Sequence, residues 1–224
     1  MTEREVKQVV VVFSCTLSDK EVPLFRGAML HAVQGDSTLF HDHVGEGFRY
    51  RYPLIQYRSM DGYASAIGLE EGVEAIDRFL ADGDVCKVRI GRRTEPLLVT
   101  RIKRLQTTFA LTAETEQTYV IRHYLPFNQE NYKAYQKMDS LIERYALIEK
   151  CIVGNILSLA KSLGVFFDQK VVAKLVAVDN EASYKYKNIK MVGFDLKFKT
   201  NVQLPQYIGL GKGVSLGFGE IRSV

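Results

Sequence analysis

The chain has 224 residues, 46% of them hydrophobic and 25% charged, with a net charge of +4. That composition excludes a disordered polymer and is enough for one large core or two small ones. No apolar run approaches the ~20 residues of a membrane span, and MTEREVKQVVVVF lacks the small-residue cleavage site of a secretory leader, so neither is expected. Three scattered cysteines, Cys15, Cys86 and Cys151, read as reduced thiols in a cytoplasmic protein.

Gln8 to Thr16 (QVVVVFSCT) reads as a buried strand. Pro23 opens a helix, PLFRGAMLHAVQG, with Leu24, Met29, Leu30 and Val33 on its apolar face and Gly35 at its stop. Asp36 to Gly47 is a polar loop, and Phe48 to Tyr57 (FRYRYPLIQY) is a strand by aromatic alternation, with Pro53 marking an edge or a bulge. Ser59 to Gly62 is expected to turn into a strand at Tyr63 to Leu69, followed by an amphipathic helix from Glu70 to Ala81 with Val73, Ile76, Phe79 and Leu80 inward. Val85 to Ile90 reads as the fourth strand and Leu97 to Leu105 as a fifth. Strand, helix, strand, strand, helix, strand is the split β-α-β order of ferredoxin-like domains.

The pattern restarts after Thr118. Tyr119 to Leu125 reads as a strand, and Asn128 to Leu163 as a helical stretch broken near Asp139. Its apolar positions from Leu141, Ile142 and Tyr145 to Ile148, Ile152, Ile156 and Leu159 recur at spacings of three and four. Strands follow at Val171 to Val178 and Lys187 to Thr200, with a last short one at Glu220 to Val224. The expected fold is α+β: two tandem ferredoxin-like (βαββαβ) domains, 1–117 and 118–224, the second degenerate.

Charge divides unevenly. Residues 1–117 carry 15 Lys+Arg against 17 Asp+Glu, and residues 118–224 carry 15 against 9. A basic second half permits a nucleic-acid partner, although a solvated lysine-rich face would look the same.

GLGKGVSLGFGEI, from Gly209 to Ile221, places Gly209, Gly211, Gly213, Gly217 and Gly219 within eleven positions. It is no Walker loop, because Gln206 stands where the first glycine belongs and Gly213 where Ser or Thr belongs. A dinucleotide fingerprint needs a following helix and an acidic residue about 20 positions on, and no such stretch follows. Two readings remain: an anion-binding nest of backbone N–H groups with Lys212 in its middle, or a tight connection packed against another domain. This loop, after two ferredoxin-like patterns, resembles the glycine-rich signature of the CRISPR-associated repeat-processing endoribonucleases, within the superfamily of repeat-associated RNA-binding proteins. The resemblance implies that the loop lies near bound RNA and braces the domain interface.

Four histidines are present: His31, His41, His43 and His123. Imidazole suits proton transfer near neutral pH, and RNA carries its own nucleophile, the 2′-OH, so two histidines can move both protons without metal. His41-Asp42-His43 is also a metal-ligand spacing, but no second His/Cys cluster completes such a site. A structural surface pair is the third reading. His31, on the first helix, and His123, in YVIRHYL, read as structural, with His31 a reserve candidate for catalysis. The segment LFHDHVGEGFRYRYPLIQYR resembles the subgroup in which one or two catalytic histidines follow the first helix, and the resemblance places His41 and His43 there as acid and base, with neither metal nor cofactor.

Arg49 and Arg51 alternate with Phe48, Tyr50 and Tyr52, which puts both cations on one strand face, suited to the scissile phosphate. Arg92, Arg93, Arg101, Lys103 and Arg104 form a second basic cluster. Lys185, Lys187, Lys197 and Lys199, interleaved with aromatics along YKYKNIKMVGFDLKFK, suit backbone phosphates and base stacking. The expectation is a metal-independent endoribonuclease that cuts CRISPR repeat RNA. The alternative is a non-catalytic RNA-binding subunit of a CRISPR ribonucleoprotein, and association with other such subunits or with a second copy stays open.

Overall fold

The computed structural model describes residues 2–33, 38–41, 52–112 and 117–224. The chain divides into two compact units: one holds Val6–Gln106 with Ser215–Gly217, and the other holds residues 1–5, Thr107–Val214 and Phe218–Val224. No described helix is long and apolar enough to cross a membrane.

In the first unit, β1 (Glu3–Thr16) begins five residues earlier than expected. Its leading charged residues alternate between exposed and covered faces, which a search for a buried run overlooks. After α1 (Val22–Ala32) and the short α2 (Thr38–His41), β2 (Ile55–Met60) and β3 (Tyr63–Leu69) form a hairpin. Its turn is Asp61-Gly62, both at positive φ (54° and 83°), the geometry that matches strand twist. Ser59 and Met60 therefore pair within the strand rather than turning, a correction to the expected Ser59–Gly62 turn. Of the expected strand Phe48–Tyr57, only the end from Ile55 is observed as strand, and residues 48–51 lie outside the described residues.

α3 (Glu71–Asp82) buries Ile76 and Phe79 as its spacing dictates. The predicted fourth strand is corrected. Val88–Ile90 (β4) turns at Gly91 and pairs only with Arg93–Glu95 (β5) in a separate two-stranded hairpin. The strand that joins the sheet is β6 (Val99–Leu111), so the order reads β6-β1-β3-β2; the two-residue β10 (Val202–Gln203) pairs with residues 110–111 at the end of β6, within the second unit. Alternation sends Val9, Val11 and Phe13 of β1 into a core with Phe25 and Met29 of α1 and Ile76 and Phe79 of α3. Phe25 stacks edge-on against Phe13 and Tyr57, each at 5.9 Å between centroids. Leu24, expected on the inner face of α1, is 48% exposed.

In the second unit, β7 (Gln117–Tyr124) leads to α4 (Gln129–Lys137), capped by the Asn128 side chain, which accepts from the Asn131 amide at 2.7 Å. The expected break at Asp139 separates α4 from α5 (Leu141–Ser162). β8 (Ala173–Tyr186) and β9 (Ile189–Thr200) form a long hairpin turning at Lys187-Asn188, both at positive φ. The strand predicted to end at Val178 continues eight residues further, and the one predicted to begin at Lys187 begins at Ile189. β11 (Glu220–Ser223) closes the order β11-β7-β9-β8. α5 buries Ile148, Cys151, Ile152, Ile156 and Leu159. Leu141 and Ile142, counted on that face from their spacing, are 62% and 81% exposed, because periodicity does not say which turns of a long helix reach the sheet. Tyr135 of α4 and Phe194 of β9 pack with Phe127. Phe194, Leu196 and Phe198 therefore point toward the helices, and Gly193, Asp195, Lys197 and Lys199 occupy the opposite face.

Candidate nucleic-acid interface

The histidine segment is anchored by its neighbour. Phe40 is 3% exposed and meets Phe79 of α3 at 6.1 Å, which fixes the short helix that His41 closes. His43, Arg49 and Arg51 lie outside the described residues. Where the described chain resumes it is tied down at once: Gln56 Nε2 donates to the Tyr52 hydroxyl (2.9 Å) and the Pro53 carbonyl (3.2 Å). Gln56 Oε1 accepts from Arg58 Nη2 at 3.0 Å.

Arg58 is 1% exposed, and the C-terminal glycine segment crosses it: a Cβ on Gly217 would lie 3.6 Å from the Arg58 Cβ. Arg26 of α1 donates from Nη1 to Ser215 Oγ at 3.4 Å. Two arginines from distant parts of the sequence thus lie against residues 215–217. Sequence reasoning singled out neither, since each is a lone cation within its segment.

Much of the glycine loop is tied to itself and to residues 123 and 125. The Leu210 amide donates to the Gly219 carbonyl (2.9 Å), Lys212 to Leu125 (3.1 Å), Phe218 to Gly213 (3.3 Å) and Gly219 to His123 (3.2 Å). Gly209 forms a bridge with Glu220. These four amides are occupied within the second unit and cannot serve an anion nest. Gly219 must be glycine: its φ is +70° and a Cβ would run into the Leu210 carbonyl. The loop between holds a 3-10 turn, Val214–Leu216.

Lys197 and Lys199 share a face of β9, as alternation requires, and Lys199 stands opposite Lys174 on β8. Lys174 is itself paired with Glu149 at 3.1 Å. Lys185 lies on β8 opposite Lys190, and Lys187 is in the hairpin turn, so these two do not continue the Lys197–Lys199 row. In the other basic cluster, Arg104 is held by Asp77 (2.7 Å) and Arg93 by Glu21 (3.0 Å) and Glu95 (3.2 Å). Those contacts turn both toward structural ion pairs. His123 sits in β7 as expected, but at φ +50°, where the β7–β9 register shifts.

Among the described residues no group of three or more His, Cys, Asp or Glu is placed to hold a metal ion. Burial pushes the Cys15 and Cys151 thiols up to about 11, which suits packing and not chemistry.

The Cas6b N-terminal domain family model matches residues 4–108, and the Cas6b C-terminal domain model matches residues 111–224. An uncharacterized protein of Methanocaldococcus jannaschii is 37% identical over 104 residues, spanning 46% of this chain and 69% of that protein. A crystal structure of Cas6b superposes with a TM-score of 0.89 at 26% identity, covering 99% of this chain and 100% of the other. A structure described as the CRISPR RNA processing endoribonuclease Cas6b superposes with a TM-score of 0.74 at 26% identity over the same shares.

Proposed function

The chain belongs to the Cas6b family, and on that premise we propose that it is an endoribonuclease that cuts CRISPR repeat RNA into guides. The observation that carries the proposal is that the family match spans both halves, with a Cas6b structure described as an RNA-processing endoribonuclease superposing over 99% of the chain. We read the two units as ferredoxin-like domains meeting near residues 117 and 118. The strand orders β6-β1-β3-β2 and β11-β7-β9-β8 support this, as does the place of the glycine loop where a second helix would stand in the second unit.

In the proposed mechanism one of His41 and His43 takes the proton from a 2′-OH, whose oxygen attacks the adjacent phosphorus. The other protonates the departing 5′-oxygen, leaving a 2′,3′-cyclic phosphate and a 5′-hydroxyl. Arg49 and Arg51 stabilise the charge that builds on the phosphorane oxygens. Arg26 and Arg58, against residues 215–217, add positive potential beside the glycine segment. Lys185, Lys187, Lys197, Lys199 and Lys212 hold the RNA backbone, with Gly209, Gly211, Gly213, Gly217 and Gly219 shaping the loop beside it. The reaction needs no metal and proceeds in the cytoplasm.

Labelled repeat RNA incubated in excess EDTA tests this. Cleavage is expected to continue, to yield a cyclic phosphate end, and to stop when the nucleotide before the cut carries a 2′-deoxyribose. Loss of cleavage in EDTA, or cleavage of the 2′-deoxy substrate, would overturn the mechanism. Binding without cleavage of any repeat would instead favour a non-catalytic subunit.

A further inference from the structure

Beside the glycine loop, four aromatic rings from three separate segments meet within the second unit. His123 of β7 lies 5.1 Å from Tyr184 of β8, with the ring planes 48° apart. Phe218 of the loop stands edge-on to Tyr184 at 6.1 Å and to Tyr186 at 5.9 Å. All four are half-buried and keep part of their surface in solvent.

Three features show that the chain is shaped around these rings. His123 adopts φ +50°, an uncommon conformation for a residue other than glycine. Its backbone is gripped on both sides: its amide donates to Asp195 Oδ1 at 2.6 Å and its carbonyl accepts from Gly219. Two glycines clear the space. A Cβ on Gly193 would come within 2.8 Å of the Tyr184 ring, and one on Gly213 within 2.8 Å of Phe218 and 2.9 Å of Tyr186. A cation completes the group: Lys187 Nζ lies 5.6 Å from the centre of the Tyr186 ring, in a hairpin turn whose positive φ angles fix its direction.

We propose that His123, Tyr184, Tyr186 and Phe218 form a stacking site for an unpaired nucleobase of the bound RNA, with Lys187 receiving the neighbouring phosphate. Aromatic rings half-exposed on a sheet face are the usual platform for single-stranded bases, because every base offers a π face. Each of the four rings keeps part of its surface in solvent, and the adjacent lysine satisfies the charge each nucleotide brings. The site rests on the RNA-processing reading above and deepens it: it takes a base of the single-stranded part of the repeat.

The test uses the full chain and single-stranded CRISPR repeat RNAs with 2-aminopurine at successive positions, followed by stopped-flow fluorescence before cleavage. One position is expected to change its emission severalfold on binding. Tyr184→Leu and His123→Asn should each abolish that change and weaken binding about tenfold, while Tyr184→Phe, which keeps the ring, should behave as wild type. Asparagine accepts the backbone conformation of His123, so that variant removes the ring without adding strain. As a check independent of any variant, 5-iodouridine in the same RNAs should crosslink the wild-type protein at residues 123, 184, 186 or 218. Tight binding with no position sensitive to Tyr184 or His123, or with crosslinks only elsewhere, would overturn the stacking site and leave the nuclease reading standing. Failure of the wild type to bind any repeat RNA would overturn both.

Discussion

Gly219 and the three cysteines show how single positions divide between architecture and chemistry. At Gly219 both the backbone angle and the Leu210 carbonyl forbid a side chain, so Gly219→Ala is expected to destabilise the protein by at least about 2 kcal/mol, read as a drop in Tm. The thiols differ by burial: Cys86 is exposed, whereas Cys15 and Cys151 are buried with their thiols held up to about 11. At pH 8 a thiol reagent should therefore label one cysteine of the native protein rapidly and all three only after unfolding. Fast labelling of two or more would contradict the packing around β1 or α5. At this scale the glycine loop was legible because so dense a run of glycines is needed only where backbone must turn sharply or pass close to another chain segment. Arg26 and Arg58 were not, because what distinguishes them is contact with residues 215–217, about 160–190 positions further along the chain.

Among the elements, the β8–β9 hairpin and α5 carry the main departures from expectation. The second half of β8 (DNEASYKY) is exposed at alternate positions and rich in polar residues, so it carries little hydrophobic signal; pairing with β9 makes it a strand. β6 was expected from Leu97 to Leu105 but runs from Val99 to Leu111, and its place beside β1 is set by pairing that the sequence does not display. Where burial was continuous, as in QVVVVFSCT, or strictly periodic, as from Ile148 to Leu159, the sequence identified the element and its inner face. In α5, Gly154 is exposed, helical and has no atom within 4 Å of an added Cβ. Gly154→Ala should raise stability by roughly 0.5–1 kcal/mol in a denaturant titration, since alanine restricts the unfolded chain and favours helix. A loss of stability would place an unseen neighbour on that face.

Taken as a whole, the molecule keeps its positive charge surplus in residues 118–224, where 15 basic residues face 9 acidic ones. RNA affinity should therefore fall steeply with salt. Removing Lys197 and Lys199 should flatten a plot of log affinity against log salt by about 0.7 for each phosphate left without its lysine. An unchanged slope would show that the β9 face does not meet the backbone. The α+β class was legible from element order alone. Which strand closes the first sheet was not, because pairing depends on partners distant in sequence. The most direct measurement is the single-turnover rate of repeat-RNA cleavage for wild type, His41→Ala and His43→Ala, with the dissociation constant of each measured alongside. The rate is expected to fall by about 10²-fold or more in each variant, with affinity changed less than about threefold. Rates equal to wild type in both variants would contradict the assignment of acid and base to this pair.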